Sequence, residues 1–188
     1  GLRTATESCG AQIQYGLGDM SELLIGCGNK RVKRFSMNDS MDWVGLVTMD
    51  HDPNCGADIL HDLDVTPWPV PDNTFDAVHA YEVLEHLGTQ GDYKAFFRHF
   101  GEIDRVLKPG GYLIATCPSW KSVWAWGDPS HTRIISPASV TFLDQSEYAK
   151  QVGRTPMTDF RWLWKGDLRA VHIDCNDDAF MFVLQKHG

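Results

Sequence analysis

The sequence predicts an α/β fold: a doubly wound, mostly parallel seven-stranded sheet with an antiparallel last strand. Three observations predict it. Short apolar runs that stop at glycine or aspartate recur along the chain, as buried parallel strands do. Residues 92–107 carry a helical apolar period between two such runs, and two β-rich runs at the end are joined by Asn176-Asp177-Asp178.

In chain order, residues 1–20, with Gly10, Gly16 and Gly18, read as an irregular lead-in, and 21–188 as a single domain. Glu22 to Ile25 is the first strand and runs into the tight turn Gly26-Cys27-Gly28. Val44 to Met49 is the second and stops at Asp50; Ala57 to Leu60 is a short third; Phe75 to Tyr81 is the fourth. The helix over 92–107 places Tyr93, Phe96, Phe97, Phe100, Ile103, Val106 and Leu107 on one face, with Asp92 as its cap and Pro109-Gly110-Gly111 as its stop. Tyr112 to Thr116 is the fifth strand. Ser136-Pro137 offers an N-cap and an N1 proline for a helix through about Lys150. Phe160 to Trp164 with Ala170 to Ile173, and then Ala179 to Gln185, read as the last two strands.

Composition narrows the function classes. The 188 residues are 43% hydrophobic, and 17 Lys and Arg face 25 Asp and Glu for a formal net charge of -8. That acidic balance disfavours capture of a nucleic-acid backbone, which depends on clustered cations. Cys9, Cys27, Cys55, Cys117 and Cys175 are odd in number and form no C-x-x-C, so the pattern signals neither a disulfide framework nor a zinc site. A reducing, cytoplasmic setting without membrane contact is the expectation, as no apolar run approaches the roughly 18 residues of a bilayer span and no leader opens the chain.

A strand ending in Gly-x-Gly lets a ligand approach the backbone closely, outside the carboxyl ends of the sheet. The third glycine of a G-x-G-x-x-G fingerprint falls at Arg31 and is missing, which weakens a nicotinamide or flavin reading. Asp50 ends the next strand where a carboxylate accepts hydrogen bonds from both hydroxyls of a ribose; Asp52 is a rival for that role. The stretch Asp58 to Leu63 offers polar side chains and an apolar one for a purine.

From Glu22 to Ser119 the chain resembles the class I S-adenosylmethionine-dependent methyltransferases. The resemblance rests on Leu-Leu-Ile-Gly-Cys-Gly-Asn at 23–29, Asp50, Asp58 to Leu63, P-D-N-T-F-D at 71–76, V-L-E-H-L at 83–87 and L-K-P-G-G at 107–111. It implies the Rossmann-like methyltransferase fold and S-adenosyl-L-methionine as cofactor. It also implies that Gly26, Cys27 and Gly28 line the methionine part, Asp50 holds the ribose, Asp62 and Leu63 border the adenine, and Glu82 lies near the sulfonium. Leu24 and Lys30 depart from the family pattern, where many members carry an acidic residue and a third glycine.

Methyl transfer from a sulfonium is an in-line displacement driven mainly by alignment and exclusion of water. A base is needed only where the acceptor must lose a proton. His131 is the first candidate, or else a helix-stabilising residue; Glu85 and His86 are a second pair, or else fix the local loop. Trp120, Trp124, Trp126 and Arg133 are candidate substrate-binding residues on a long connection expected to fold over the cofactor, with ordinary packing as the alternative and Asp128 as a rival partner for Arg133. His51, His61 and Cys55 match no zinc spacing, so no metal is expected. Cys117 has no second Pro-Cys to support nucleophilic attack. The reading is methyl transfer to an unidentified small or medium-sized acceptor. A nicotinamide-dependent oxidoreductase and a cofactor-binding scaffold without turnover are the alternatives, with nucleic-acid methylation behind them.

Overall fold

The computed structural model describes residues 20–37 and 39–188, so the expected lead-in falls almost wholly outside the described residues. The strands are β1 (Glu22–Ile25), β2 (Leu46–Asp50), β3 (Ile59–Leu60), β4 (Phe75–Tyr81), β5 (Leu107–Pro118), β6 (Leu168–Cys175) and β7 (Ala179–Lys186). They form one sheet in the order β3-β2-β1-β4-β5-β7-β6. β1 pairs in parallel with β2 on one side and β4 on the other, whereas β7 runs antiparallel to both β5 and β6. The strand order reverses between β1 and β4, and a ligand crevice opens at such a reversal, beyond the carboxyl ends of the strands.

One face is packed by α1 (Tyr93–Val106), whose Phe96, Phe97, Phe100, Ile103 and Val106 are buried in the main core with Leu23, Val78, Leu113 and Phe182. Asp92 caps it as expected, its carboxylate accepting the Ala95 N–H at 2.9 Å. At the other end the Lys186 ammonium donates to the carbonyls of Asp104 (2.7 Å) and Leu107 (2.9 Å), groups a helix end leaves without partners. The P-D-N-T-F-D stretch joins this helix to β4. The N–H groups of Asn73 and Thr74 donate to the carbonyls of Arg105 and Val106, and Asp76 pairs with Lys108 at 2.7 Å.

Three expectations are corrected. Pro109-Gly110-Gly111 does not end the helix: the chain turns extended at Leu107, and the motif is an irregularity inside a longer β5, where Phe75 faces Leu107 but Ala77 faces Tyr112. The helix from Ser136 is two helices, α3 (Pro137–Thr141) and α4 (Gln145–Gln151), the five-residue α2 (Val123–Gly127) lying before them. The break follows from Leu143, whose carbonyl is taken by the Trp164 indole N–H (3.0 Å) and the Leu168 N–H (2.9 Å), while Asp144 caps α4 through the Ser146 N–H. Residues 160–164 form a turn closed onto the Phe160 carbonyl, not strand. Between β1 and β2 the described residues form no helix. The second face is covered instead by Phe35 and Trp43 from irregular chain, packed with Leu24, Cys27, Tyr81, Ile114 and Val183.

Candidate functional site

The glycine turn is held in place by two fixed contacts. Gly26 sits at φ +59°, and a Cβ there would lie 2.3 Å from a Val83 methyl, so only glycine lets the turn close on Val83. Asp50, buried at the end of β2, accepts the Gly28 N–H at 2.8 Å through one carboxylate oxygen and the Asp52 N–H at 2.9 Å through the other. The Asp52 carboxylate is turned to Asn54, accepting its backbone N–H at 2.8 Å and its side-chain amide at 3.0 Å. Each carboxylate oxygen has a second lone pair left for a ligand.

Two clefts adjoin this turn and share Gly26. One, of about 540 Å³, is lined by Asp50, Asp62, Leu63, Glu82, His86 and Ser130 among others; the second, of about 390 Å³, runs along Cys27, Gly28, Lys30, Arg34 and Tyr81. Asp50, Asp62, Leu63 and Glu82, expected from scattered positions, thus face one space together with Gly26. A Cβ at Gly28 would meet nothing within 4 Å, which leaves the neighbouring space open to a ligand. The Cys27 side chain is buried against Cys55, and burial with that neighbour pushes its thiol up to about 11, so it is an unreactive thiol there. Glu82 adopts φ +56° at the mouth of β4, an uncommon conformation for a side-chain-bearing residue, and its carboxylate stands 3.5 Å from the Arg34 guanidinium.

Past the turn, Leu84–His86 form a single 3-10 turn. Glu82 and His86 both line the larger cleft. Glu85 is 2% exposed, and neither carboxylate oxygen accepts a hydrogen bond. Burial pushes its carboxyl up to about 7, opposed by its own backbone N–H and the Cys117 thiol and aided by the nearby Glu82 charge. Cys117 is fully buried beneath it, where burial raises the thiol well above its usual range and removes it as a nucleophile. The His86 ring packs edge-on to that of His131, centroids 4.8 Å apart. Each donates its Nδ1–H to a backbone carbonyl, His86 to Ser130 (3.0 Å) and His131 to Trp124 (2.8 Å), so Nε2 is the ring nitrogen each has left for another partner.

The substrate-binding expectations fare differently. Arg133 is buried and donates to the carbonyls of Leu87, Thr89 and Asp92, not to Asp128. It fixes the loop before α1 with three of its five N–H donors. Trp124 and Trp126 are 68% and 70% exposed on α2, and Trp120 packs against Phe180, so none of the three indoles lines either cleft. From that connection only Ser130 reaches the larger one. Among the described residues His51, His61 and Cys55 do not form a group of possible metal ligands.

The sequence reading missed the residues that support the turn. Below it, Glu22 bonds Lys33 at 2.8 Å, His79 at 3.3 Å and the Val44 N–H at 2.9 Å, and His79 in turn meets the Tyr81 hydroxyl at 2.7 Å. Burial opposes the Glu22 charge, yet the bonds from His79, Lys33 and Val44 outweigh it and bring its carboxyl down to about 2. Ser130 and Val83 were missed as well, since no chemistry marks them in the sequence.

Comparison with known proteins agrees with this geometry. The model of a family described as "Methyltransferase domain" matches residues 23–115, about half of the chain and the same stretch that holds the glycine turn, Asp50 and the Glu85-His86 segment. A probable S-adenosylmethionine-dependent methyltransferase of Mycolicibacterium smegmatis is 32% identical over 91 residues, 46% of this chain. The match spans only 33% of that curated relative's length. Among solved structures, a SAM-dependent methyltransferase from Archaeoglobus fulgidus superposes with a TM-score of 0.53 at 14% identity, over 92% of this chain and 88% of that one. The [4+2]-cyclase SpnF superposes with a TM-score of 0.52 at 15% identity, over 90% and 75%. At such identities the superpositions show the fold alone, and a cyclase among them shows that the fold does not fix the reaction. The matched family and the sheet order together place the chain: it belongs to the class I S-adenosylmethionine-dependent methyltransferases.

Proposed function

We propose that this chain transfers the methyl group of S-adenosylmethionine to a small or medium-sized acceptor by in-line displacement at the cleft beyond β1, β2 and β4. The observation that carries this reading is the buried Asp50 carboxylate, fixed to the Gly28 N–H at the lip of the cleft with lone pairs to spare. The cofactor supplies an activated methyl group on a sulfonium. Asp50 accepts the ribose hydroxyls, Leu63 and Asp62 flank the base, and the open backbone at Gly26 and Gly28 takes the amino-acid end. Glu82 places a negative charge near the sulfonium. His86, with Ser130 beside it, occupies the far wall, where the acceptor enters and where water must be kept out.

His86 thereby takes over the leading position expected for His131, which stands behind it. An acceptor screen with methyl-labelled S-adenosylmethionine tests the reading. Once an acceptor is found, His86→Ala lowers kcat by about 10²- to 10⁴-fold with little change in S-adenosylhomocysteine affinity. An unchanged kcat removes His86 from the chemistry. Binding without turnover across all acceptor classes supports the scaffold reading instead.

A further inference from the structure

Glu85, His86 and His131 present one carboxylate oxygen and two imidazole nitrogens that all lie within 4.8 Å of one another. We propose that these three side chains form a site for a first-row divalent cation of the zinc type, at the acceptor end of the cleft. The expectation of no metal rested on His51, His61 and Cys55; the fold gathers a different set.

Three independent features converge on it. A coordinating histidine almost always donates its second ring N–H to a carbonyl or carboxylate, which fixes the tautomer and aims the bare nitrogen. Both histidines do so, toward Ser130 and Trp124. Next, the Glu85 carboxylate is buried and unpartnered, a costly state for an acceptor that a bound cation relieves. An ordinary imidazole-carboxylate hydrogen bond does not account for it, because both Nδ1–H groups are committed elsewhere. Finally, two imidazoles and one carboxylate form the donor set that suits zinc and its neighbours, whereas magnesium and calcium prefer oxygens alone.

The ligand atoms are spread more widely than the ~2 Å bonds to such an ion require, so side-chain rotation must draw them together. The Asp128 carboxylate lies 3.8 Å from His131 Nε2. Cys27, Asp50 and Cys55 also cluster, all three buried, and that set belongs to the glycine turn and its cofactor contact. Because His86 lines the cleft, a cation held there polarises an acceptor oxygen and eases loss of its proton. That last role rests on the methyl-transfer reading; the binding of the ion does not.

The test uses the full chain, stripped with chelator and titrated with ZnCl₂ by calorimetry and with CoCl₂ by visible absorption. One equivalent of each ion is expected to bind, with cobalt d–d bands. His86→Gln, His131→Ala and Glu85→Gln, each checked for cooperative melting, are expected to weaken binding at least ~10- to 100-fold. Asp50→Asn, which disables the cofactor contact, leaves metal affinity unchanged, so failure of one reading is distinguishable from failure of the other. The proposal is overturned if wild type binds neither ion tighter than ~100 μM. It is equally overturned if the three variants bind as wild type does, or if Cys55→Ser alone removes the ion.

Discussion

Gly26 and Val83 compete for one small volume, and the site exists because glycine yields it. Alanine at position 26 must both hold φ +59° and displace a methyl group from 2.3 Å. Gly26→Ala is therefore expected to destabilise the fold by roughly 2 to 5 kcal/mol, the sum of strain and overpacking. Val83→Ala in the same chain should recover part of that loss, since the two terms are coupled; additive losses in a urea-denaturation cycle count against the clash. At this scale the sequence disclosed residue types but not partners. Asp50 and the glycines stand out because turn and strand-end chemistry is local. The Glu22-Lys33-His79-Tyr81 chain was not legible, because its members come from two strands and an irregular segment that only the folded sheet brings together. Nor did Arg133 reveal its role: an arginine that satisfies three loop carbonyls looks, in sequence, like one that awaits an anion.

Among the elements, those governed by local rules were read well. α1 carries its cap and apolar period in its own residues, and β4 is a continuous buried run. Elements governed by distant partners were not: α3 and α4 separate because Trp164 and Leu168 claim the Leu143 carbonyl from across the fold. The far end of α1 is a similar case, closed by Lys186 from the last strand. Lys186→Met keeps the stem and removes the ammonium, and is expected to cost about 1 to 2 kcal/mol. The chemical-denaturation midpoint should fall with an unchanged slope; an unchanged midpoint would show that water closes the helix end as well as lysine does.

Across the whole molecule, the sheet order fixes where the site lies, while the buried charges under the glycine turn tie stability to pH. Glu22 titrates near 2 in the fold against an ordinary value of 4.5, so its contribution is complete above 4.5 and disappears as pH falls toward 2. His79, lowered from 6.5 by burial despite the Glu22 bond, adds to acid loss in the same direction, beginning below 6.5. Glu22→Gln is expected to be less stable at neutral pH, since Lys33 loses its buried partner. Between pH 4.5 and 2 the variant should lose less than wild type, by a difference on the order of 2 kcal/mol after screening. Parallel losses in thermal melts over that window would place the acid sensitivity elsewhere. The parallel sheet with its reversed last strand was legible because strand runs and turn residues repeat the same signal along the chain. What covers the second face was not, since the strands read alike whether a helix or Phe35 and Trp43 pack on it.

That a ribose-bearing cofactor sits on Asp50 is the claim on which the functional reading turns, and calorimetric titration of S-adenosylhomocysteine tests it most directly. Asp50→Asn keeps the side chain's shape while removing its charge, and a charge-assisted bond to ribose contributes about 1.5 to 3 kcal/mol. Wild type should bind one equivalent, and the variant should bind about 10- to 150-fold more weakly with its melting transition still cooperative. Equal affinity for wild type and variant, or no binding by folded wild type, would contradict the assignment of this cleft to the cofactor.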